Sequence, residues 1–231
     1  MSEQLPKHAQ VVIIGGGIIG CSTAYHLTKI GWKDVVLLER KELASGTTWA
    51  AAGLVTQLRQ NRQLSDLAKY ATQLYPSLEA ETGVATGYVK TGSITVCRDE
   101  ERRREWTRAA ATAGAFGIEA HEIGAAEAKR MMPGLFVDDL VSAFYIPEDG
   151  QTNPEDTTQA LAKGARNNGA RIFQNTKVTD IKVKDGAVTG VSTEKGDIAC
   201  EYVVNCAGMW GRHIGSLVNV SIPLHAAEHM H

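Results

Sequence analysis

Residues 10–20 read Gln10-Val11-Val12-Ile13-Ile14-Gly15-Gly16-Gly17-Ile18-Ile19-Gly20. The stretch from Gln10 to Gly15 is apolar without alternation, as a parallel strand buried on both faces requires. From Ile18 to Ile30 apolar residues and alanine recur at helical spacing, and Gly31 stands where a helix would terminate. Val35 to Glu39 is a second buried strand, so a strand–helix–strand unit closes by residue 39. Gly15, Gly17 and Gly20 form a GxGxxG in the context that gives it meaning, between a strand and a helix. Gly15 permits a tight turn, Gly17 lets backbone approach a pyrophosphate, and Gly20 permits close helix-to-strand packing. The helix beginning at Ile18 offers unpaired N–H groups to the anion. Glu39 ends the second strand, where a carboxylate accepts hydrogen bonds from ribose hydroxyls. This combination predicts dinucleotide binding. Arg40 is either an adenine-side contact or a surface charge.

Downstream, Glu42 to Leu54 replaces a simple turn with small and hydroxyl residues. Leu64 to Glu81 predicts a helix through Leu67, Ala71, Leu74 and Leu78, and Gly92 to Arg98 alternates as a strand does. Residues 99–132 read as helical, with the mixed-charge run Glu100 to Glu105 as a solvated face. Val141 to Ile146 reads as a strand leading into a polar loop, Pro147 to Thr152. Asn153-Pro154 is an N-cap and first-turn signal for a helix ending at Gly169. Strands follow around Ile172, at Val178 to Val183, at Val188 to Thr193 and at Tyr202 to Cys206, with Asp185-Gly186 as a hairpin turn. Ser221 to His231 also reads as a strand.

The formal charge of −2 over 231 residues provides no basic field for nucleic acid or an anionic membrane. Apolar runs such as Val11 to Ile14 fall far short of the ~20 residues that span a bilayer. The opening ten residues lack an apolar signal core, so a cytoplasmic location is the default. Cys21, Cys97, Cys200 and Cys206 form no CxxC pair, and buried reduced thiols are the expectation. No metal site is expected: His225, His229 and His231 share a strand face, but no acidic or cysteine ligand stands at a telling spacing. His8, His26, His121 and His213 read as surface or packing residues.

NAD and FAD share the glycine fingerprint. Two features favour FAD. Ser45-Gly46-Thr47-Thr48-Trp49 could follow a long ligand from its pyrophosphate toward a ring, and Val203-Val204-Asn205-Cys206-Ala207-Gly208 could return the chain to the nucleotide fold after an inserted domain. Read as plain structure, the first is a loop with a helix cap and the second a core strand with a turn; together with the fingerprint they make one extended site.

Four motifs, VVIIGGGIIGCSTAYHL, LLERKELASGTTWAAAGL, YIPEDGQTNPEDTTQALAKGAR and VVNCAGMWG, occur in this order over nearly the whole chain. They resemble the D-amino-acid-oxidase-like flavoprotein superfamily, and within it most the dimethylglycine dehydrogenase and sarcosine dehydrogenase branch. The resemblance implies an α/β fold, a Rossmann-type FAD-binding domain with a parallel sheet, interleaved with part of an α+β substrate domain. The expected division is 1–85 and 151–220 for the FAD-binding domain, 86–150 for a substrate-domain segment, and 221–231 for the start of a further substrate-domain strand. It implies FAD as cofactor and a small-molecule secondary or tertiary amine as substrate. Hydride transfer to the flavin would give an iminium that hydrolyses to the demethylated amine and formaldehyde. The electron acceptor is not assigned.

Carried over position by position, the resemblance places Gly15, Gly17, Ile18, Gly20, Glu39, Arg40, Ser45, Thr47, Thr48, Trp49, Ala50, Ala52, Val178, Ala207, Gly208 and Trp210 at the cofactor. In that branch SGTTW is typically followed by a histidine bonded to the flavin. Here the position is Ala50, which implies FAD held non-covalently or a loss of flavin chemistry. His229 matches a histidine near the flavin ring and the amine, while His231 stands where a tyrosine is expected. The family continues through the rest of its substrate domain and usually into folate-binding domains, so those domains or a partner subunit are expected to be missing. Three rivals remain: a flavin amine oxidase acting on a different amino acid, a catalytically silent regulatory or assembly module, and an NAD-binding domain.

Overall fold

The computed structural model describes residues 4–228, which divide into two compact units. The first contains the described residues up to Ala52, then Leu78–Thr86, and the described residues from Pro154 onward; the second contains Gly53–Ser77 and Gly87–Asn153. Residues 53–77, placed with the nucleotide domain by the sequence reading, thus pack within the second unit.

The first unit is built on β1 (His8–Ile14), followed by α1 (Ile18–Lys29) and β2 (Val35–Leu38). Val11, Val12 and Ile13 of β1 and all four residues of β2 are at most 2% exposed, so both faces of these strands are covered, as their unbroken apolar sequence requires. Later in the chain come α5 (Pro154–Asn167), β8 (Arg171–Phe173), β9 (Val178–Lys184), β10 (Ala187–Thr193) and β11 (Gly196–Asn205). They complete a six-stranded sheet in the order β8-β2-β1-β11-β10-β9. The β8, β2, β1 and β11 strands run parallel, while β9, β10 and β11 form an antiparallel meander. The α/β expectation therefore holds. Asp185 (φ 52°) and Gly186 (φ 78°) both adopt left-handed backbone, the requirement of a two-residue type I′ hairpin. The final strand starts at Gly196, earlier than the expected Tyr202, because Gly196, Asp197 and Ile198 pair with β10 before the strand reaches β1 at Ala199.

Helix α1 packs against α5 closely enough that a Cβ on Gly164 would lie 2.7 Å from the Tyr25 ring. The Tyr25 ring is fully buried, and its hydroxyl donates to Glu81 at 2.7 Å. Gly31 (φ 98°) ends α1, with the Trp32 N–H returning to the Leu27 carbonyl at 3.0 Å, a Schellman stop. A 3₁₀ turn, Gly208–Trp210, and α6 (Gly211–Ser216) follow β11, and Ile214 adds to the core under the sheet.

The second unit contains β3 (Leu54–Val55), β4 (Ser93–Cys97), α3 (Glu100–Ala115), β5 (His121–Ile123), α4 (Ala125–Met131), β6 (Ser142–Ile146) and β7 (Gly150–Gln151). Helix α2 (Arg62–Thr82) gives this unit its residues through Ser77. The strands form an antiparallel sheet β4-β6-β5 and a ribbon β3-β7. The expected continuous helix over 99–132 is broken. Gly117 (φ 67°) stops α3, the Ile118 N–H returns to the Ala113 carbonyl, and Ile118 is buried with Ala113 and Ile146. The loop expected at 147–152 likewise contains a short strand, β7. Residues 221–228 have no strand assignment, contrary to the strand expected over Ser221 to His231: a strand exists only by pairing, and this segment joins no ladder among the described residues.

No helix among the described residues is long and apolar enough to cross a membrane.

Candidate functional site

The mouth between β1 and α1 is shaped by atoms that leave no room for side chains. Gly15 has φ 114°, and a Cβ there would meet the Cys206 carbonyl oxygen at 2.4 Å. A Cβ on Gly20 would fall 1.8 Å from the Gly15 carbonyl oxygen, so the first turn of α1 rests directly on the turn that precedes it. Helix α1 has no side-chain cap from its N-cap residue Gly17. Its Ile18 N–H instead donates to Thr48 Oγ1 at 3.1 Å, which makes Thr48 a cap supplied from the hydroxyl-rich loop.

Glu39 faces this turn. Its Oε2 accepts from the Gly16 N–H at 2.7 Å and its Oε1 from the Lys41 N–H at 2.8 Å. Each carboxylate oxygen keeps a further lone pair, so two vicinal hydroxyls can still be bound. The segment after β2 is held by Gln174, whose side-chain oxygen accepts from the Leu43 N–H at 2.7 Å, and by the Ala44 N–H donating to Gly16 O at 2.9 Å. At the end of β11, Asn205 accepts from the Ala207 N–H at 3.2 Å and donates to the Gly211 carbonyl at 2.9 Å, fixing the turn through Gly208.

One cavity of about 470 Å³ lies over this turn, within the usual range for small-molecule sites. Of the residues expected at the cofactor, Gly15, Gly17, Ile18, Glu39, Arg40, Ser45, Thr47, Thr48, Val178, Ala207, Gly208 and Trp210 line it. Four do not. Gly20 is buried beneath the turn, Trp49 and Ala52 are exposed and Ala50 is half-buried. The expected His229 lies outside the described residues. His213, read as a surface or packing residue, is exposed but lines the cavity. Thr176 and Lys177 also line it and were missed; their one sequence signal is that they lead directly into Val178. The Thr176 N–H donates to the Glu39 carbonyl at 2.8 Å, which brings them there.

Burial pushes the Cys21 thiol up to about 12 and also raises Cys206, so neither supplies a thiolate at neutral pH. Cys206 is half-buried rather than fully enclosed, unlike the other three cysteines. No group of three metal-ligating side chains occurs among the described residues.

The model of the DAO family, described as FAD dependent oxidoreductase, matches residues 10–231. The chain belongs to the DAO family of FAD-dependent oxidoreductases. It is 45% identical over 233 residues to the pyruvate dehydrogenase phosphatase regulatory subunit, mitochondrial, of Mus musculus, covering 100% of this chain and 26% of that protein. Sarcosine and dimethylglycine dehydrogenases are also close relatives. The mitochondrial sarcosine dehydrogenase of Mus musculus is 41% identical over 234 residues, with coverage of 99% and 26%. Among solved structures, L-proline dehydrogenase from P. horikoshii superposes with a TM-score of 0.89 at 28% identity, covering 95% of this chain and 58% of that one. The chain spans about a quarter of the length of these two curated relatives.

The DAO-family cofactor, FAD, fits the residues present: a glycine cradle that any Cβ would fill, an α1 N-terminus whose N-cap residue Gly17 carries no capping side chain, and a carboxylate at the sugar position. Glu39→Gln keeps one acceptor but turns an N–H₂ toward backbone N–H groups. It is expected to weaken FAD binding at least about tenfold, the cost of one lost charge-assisted bond. Fluorescence titration with FAD measures this, and an unchanged affinity would remove Glu39 from the site.

Proposed function

We propose that this chain is the nucleotide-holding part of an FAD-dependent oxidoreductase acting on secondary or tertiary amines of the sarcosine and dimethylglycine type, with FAD held non-covalently. The observation that carries the reading is the glycine turn hydrogen-bonded to Glu39 in the wall of one cavity, with Ala50 after SGTTW. The amides at the start of α1 bind the diphosphate, and Glu39 grips the ribose hydroxyls. Asn205 and Gln174 keep the two flanking turns in place. Ala50 provides a methyl group and no attachment atom. When bound, FAD supplies the hydride acceptor that turns an amine C–H bond into an iminium, which water hydrolyses to the demethylated amine and formaldehyde. His229 would orient the amine or handle its proton. The second unit is proposed as the substrate-domain segment. Relatives that are sarcosine and dimethylglycine dehydrogenases support the substrate class.

Two observations favour a second reading, a catalytically silent regulatory module: Ala50 itself, and the 45% identity to a protein named as a regulatory subunit. An absorption spectrum before and after acid precipitation separates the models. The flavin bands are expected to pass wholly into the supernatant; bands kept by the pellet would mean a covalent bond elsewhere. Formaldehyde release with an artificial electron acceptor is then expected from sarcosine or dimethylglycine and not from proline. A yellow protein that turns over none of the three would support the silent module.

A further inference from the structure

Arg40 and Trp210 come from distant parts of the chain, yet the Arg40 guanidinium carbon lies 3.9 Å from the centre of the Trp210 ring, and both line the nucleotide cavity. Backbone on both sides of Arg40 is fixed. The Glu39 N–H donates to the Phe173 carbonyl at 2.9 Å, the Thr176 N–H to the Glu39 carbonyl at 2.8 Å, and the Asn175 N–H to the Lys41 carbonyl at 2.8 Å. Arg40 can therefore rearrange only through its side chain. Trp210 is seated as well: its backbone N–H donates to the Ala207 carbonyl at 3.0 Å, and a Cβ on Gly46 would be in ordinary contact with the ring at 3.7 Å. No carboxylate lies within ion-pair distance of Arg40 among the described residues, so the indole face is its charge partner.

We infer that Arg40 and Trp210 act as one clasp on the rim of the cavity, retaining the adenosine diphosphate half of the nucleotide. The inference rests on the proposed FAD reading and adds positioning and release to it. A guanidinium held over an indole face keeps N–H donors free, so the contact orients the group without consuming its hydrogen bonds. Its charge then faces a ligand that carries a diphosphate. For the nucleotide to leave, the stack opens or the guanidinium releases its acceptor. An exposed cation–π pair corresponds to roughly a two- to fivefold change in an equilibrium constant.

The test measures release of ADP and, separately, of FAD by stopped-flow displacement from the full chain. It compares the wild type, Arg40→Gln, Trp210→Leu, the double variant and the conservative Trp210→Phe and Arg40→Lys. Each non-conservative single variant is expected to speed ADP release about two- to fivefold. The double variant should be no faster than the more severe single, and Trp210→Phe should restore most of the retention. Thermal midpoints of the ligand-free proteins with Arg40→Gln should match the wild type, because the residue is exposed. Additive effects in the double variant, or release that ignores both substitutions, would overturn the clasp. If Trp210→Leu does not fold, Arg40→Gln together with Trp210→Phe decides: unchanged release in the first, or loss of retention in the second equal to that of Arg40→Gln, overturns it. A chain that binds ADP with this signature but not FAD keeps the clasp and rejects the flavin reading. FAD bound with release indifferent to the variants does the reverse, and binding of neither ligand overturns both.

Discussion

Gly20→Ala is expected to cost more than about 3 kcal/mol of folding stability and to abolish measurable FAD binding, although alanine is the better helix former. The new Cβ would sit 1.8 Å from the Gly15 carbonyl oxygen, where no relaxation of a flexible side chain can help, because the obstacle is backbone. Nor can Gly15 retreat. Its N–H donates to the Leu38 carbonyl at 2.9 Å, and the Cys206 carbonyl oxygen stands 2.4 Å from where a Gly15 Cβ would lie. The start of α1 must therefore lift from the sheet, carrying away the amides that face the cavity. Gly114→Ala is the matched control: it lies inside α3, has no atom within 4 Å of the added Cβ, and should stabilise the protein by about 0.5–1 kcal/mol. Urea unfolding of both variants, with FAD titration of each, checks the pair. A Gly20→Ala protein as stable as the wild type would show that α1 does not rest on the turn as described.

The contrast between those two glycines shows what was legible in the sequence. The role of Gly20 could be read because strand, turn and helix are contiguous, and the spacing of three glycines encodes a contact made within a few residues. The Asp185-Gly186 hairpin was readable for the same reason: both residues tolerate the left-handed backbone that the turn demands. Contacts made across long separations were not. β5 has two exposed residues of three, His121 and Glu122, and is a strand only because it pairs with β6. Thr176 reaches the cavity through one backbone bond to Glu39, which no local pattern announces. In the opposite direction, 221–228 read as a strand but pair with none among the described residues. Gly117 was available as a helix stop, yet the alanine-rich run on either side masked it.

Asp149 is the strongest case of a residue whose importance comes wholly from its surroundings, and Asp149→Ala is expected to destabilise the second unit by about 3 kcal/mol. In sequence it belongs to a polar loop; in the structure it is 1% exposed. Its Oδ1 accepts from the buried Gln57 N–H at 2.7 Å, its Oδ2 from the Ser93 hydroxyl at 2.6 Å, and its own carbonyl from the Gly92 N–H at 2.7 Å. Alanine would strand the Gln57 N–H without an acceptor, whereas Asn keeps one acceptor and offers Ser93 a donor. Asp149→Asn should therefore lose much less. Burial holds the Asp149 carboxyl above its ordinary value, with the bonds from Ser93 and Gln57 opposing. A raised folded pKa means that the associated stability is fully present below the unfolded value near 3.9 and declines as pH rises through the folded one. Asn has no such titration, so the stability of Asp149→Asn relative to the wild type should improve as pH increases across that window. Denaturant unfolding at a series of pH values measures this. A difference that stays flat, or one that moves the other way, would mean that the hydrogen bonds outweigh burial at this carboxylate.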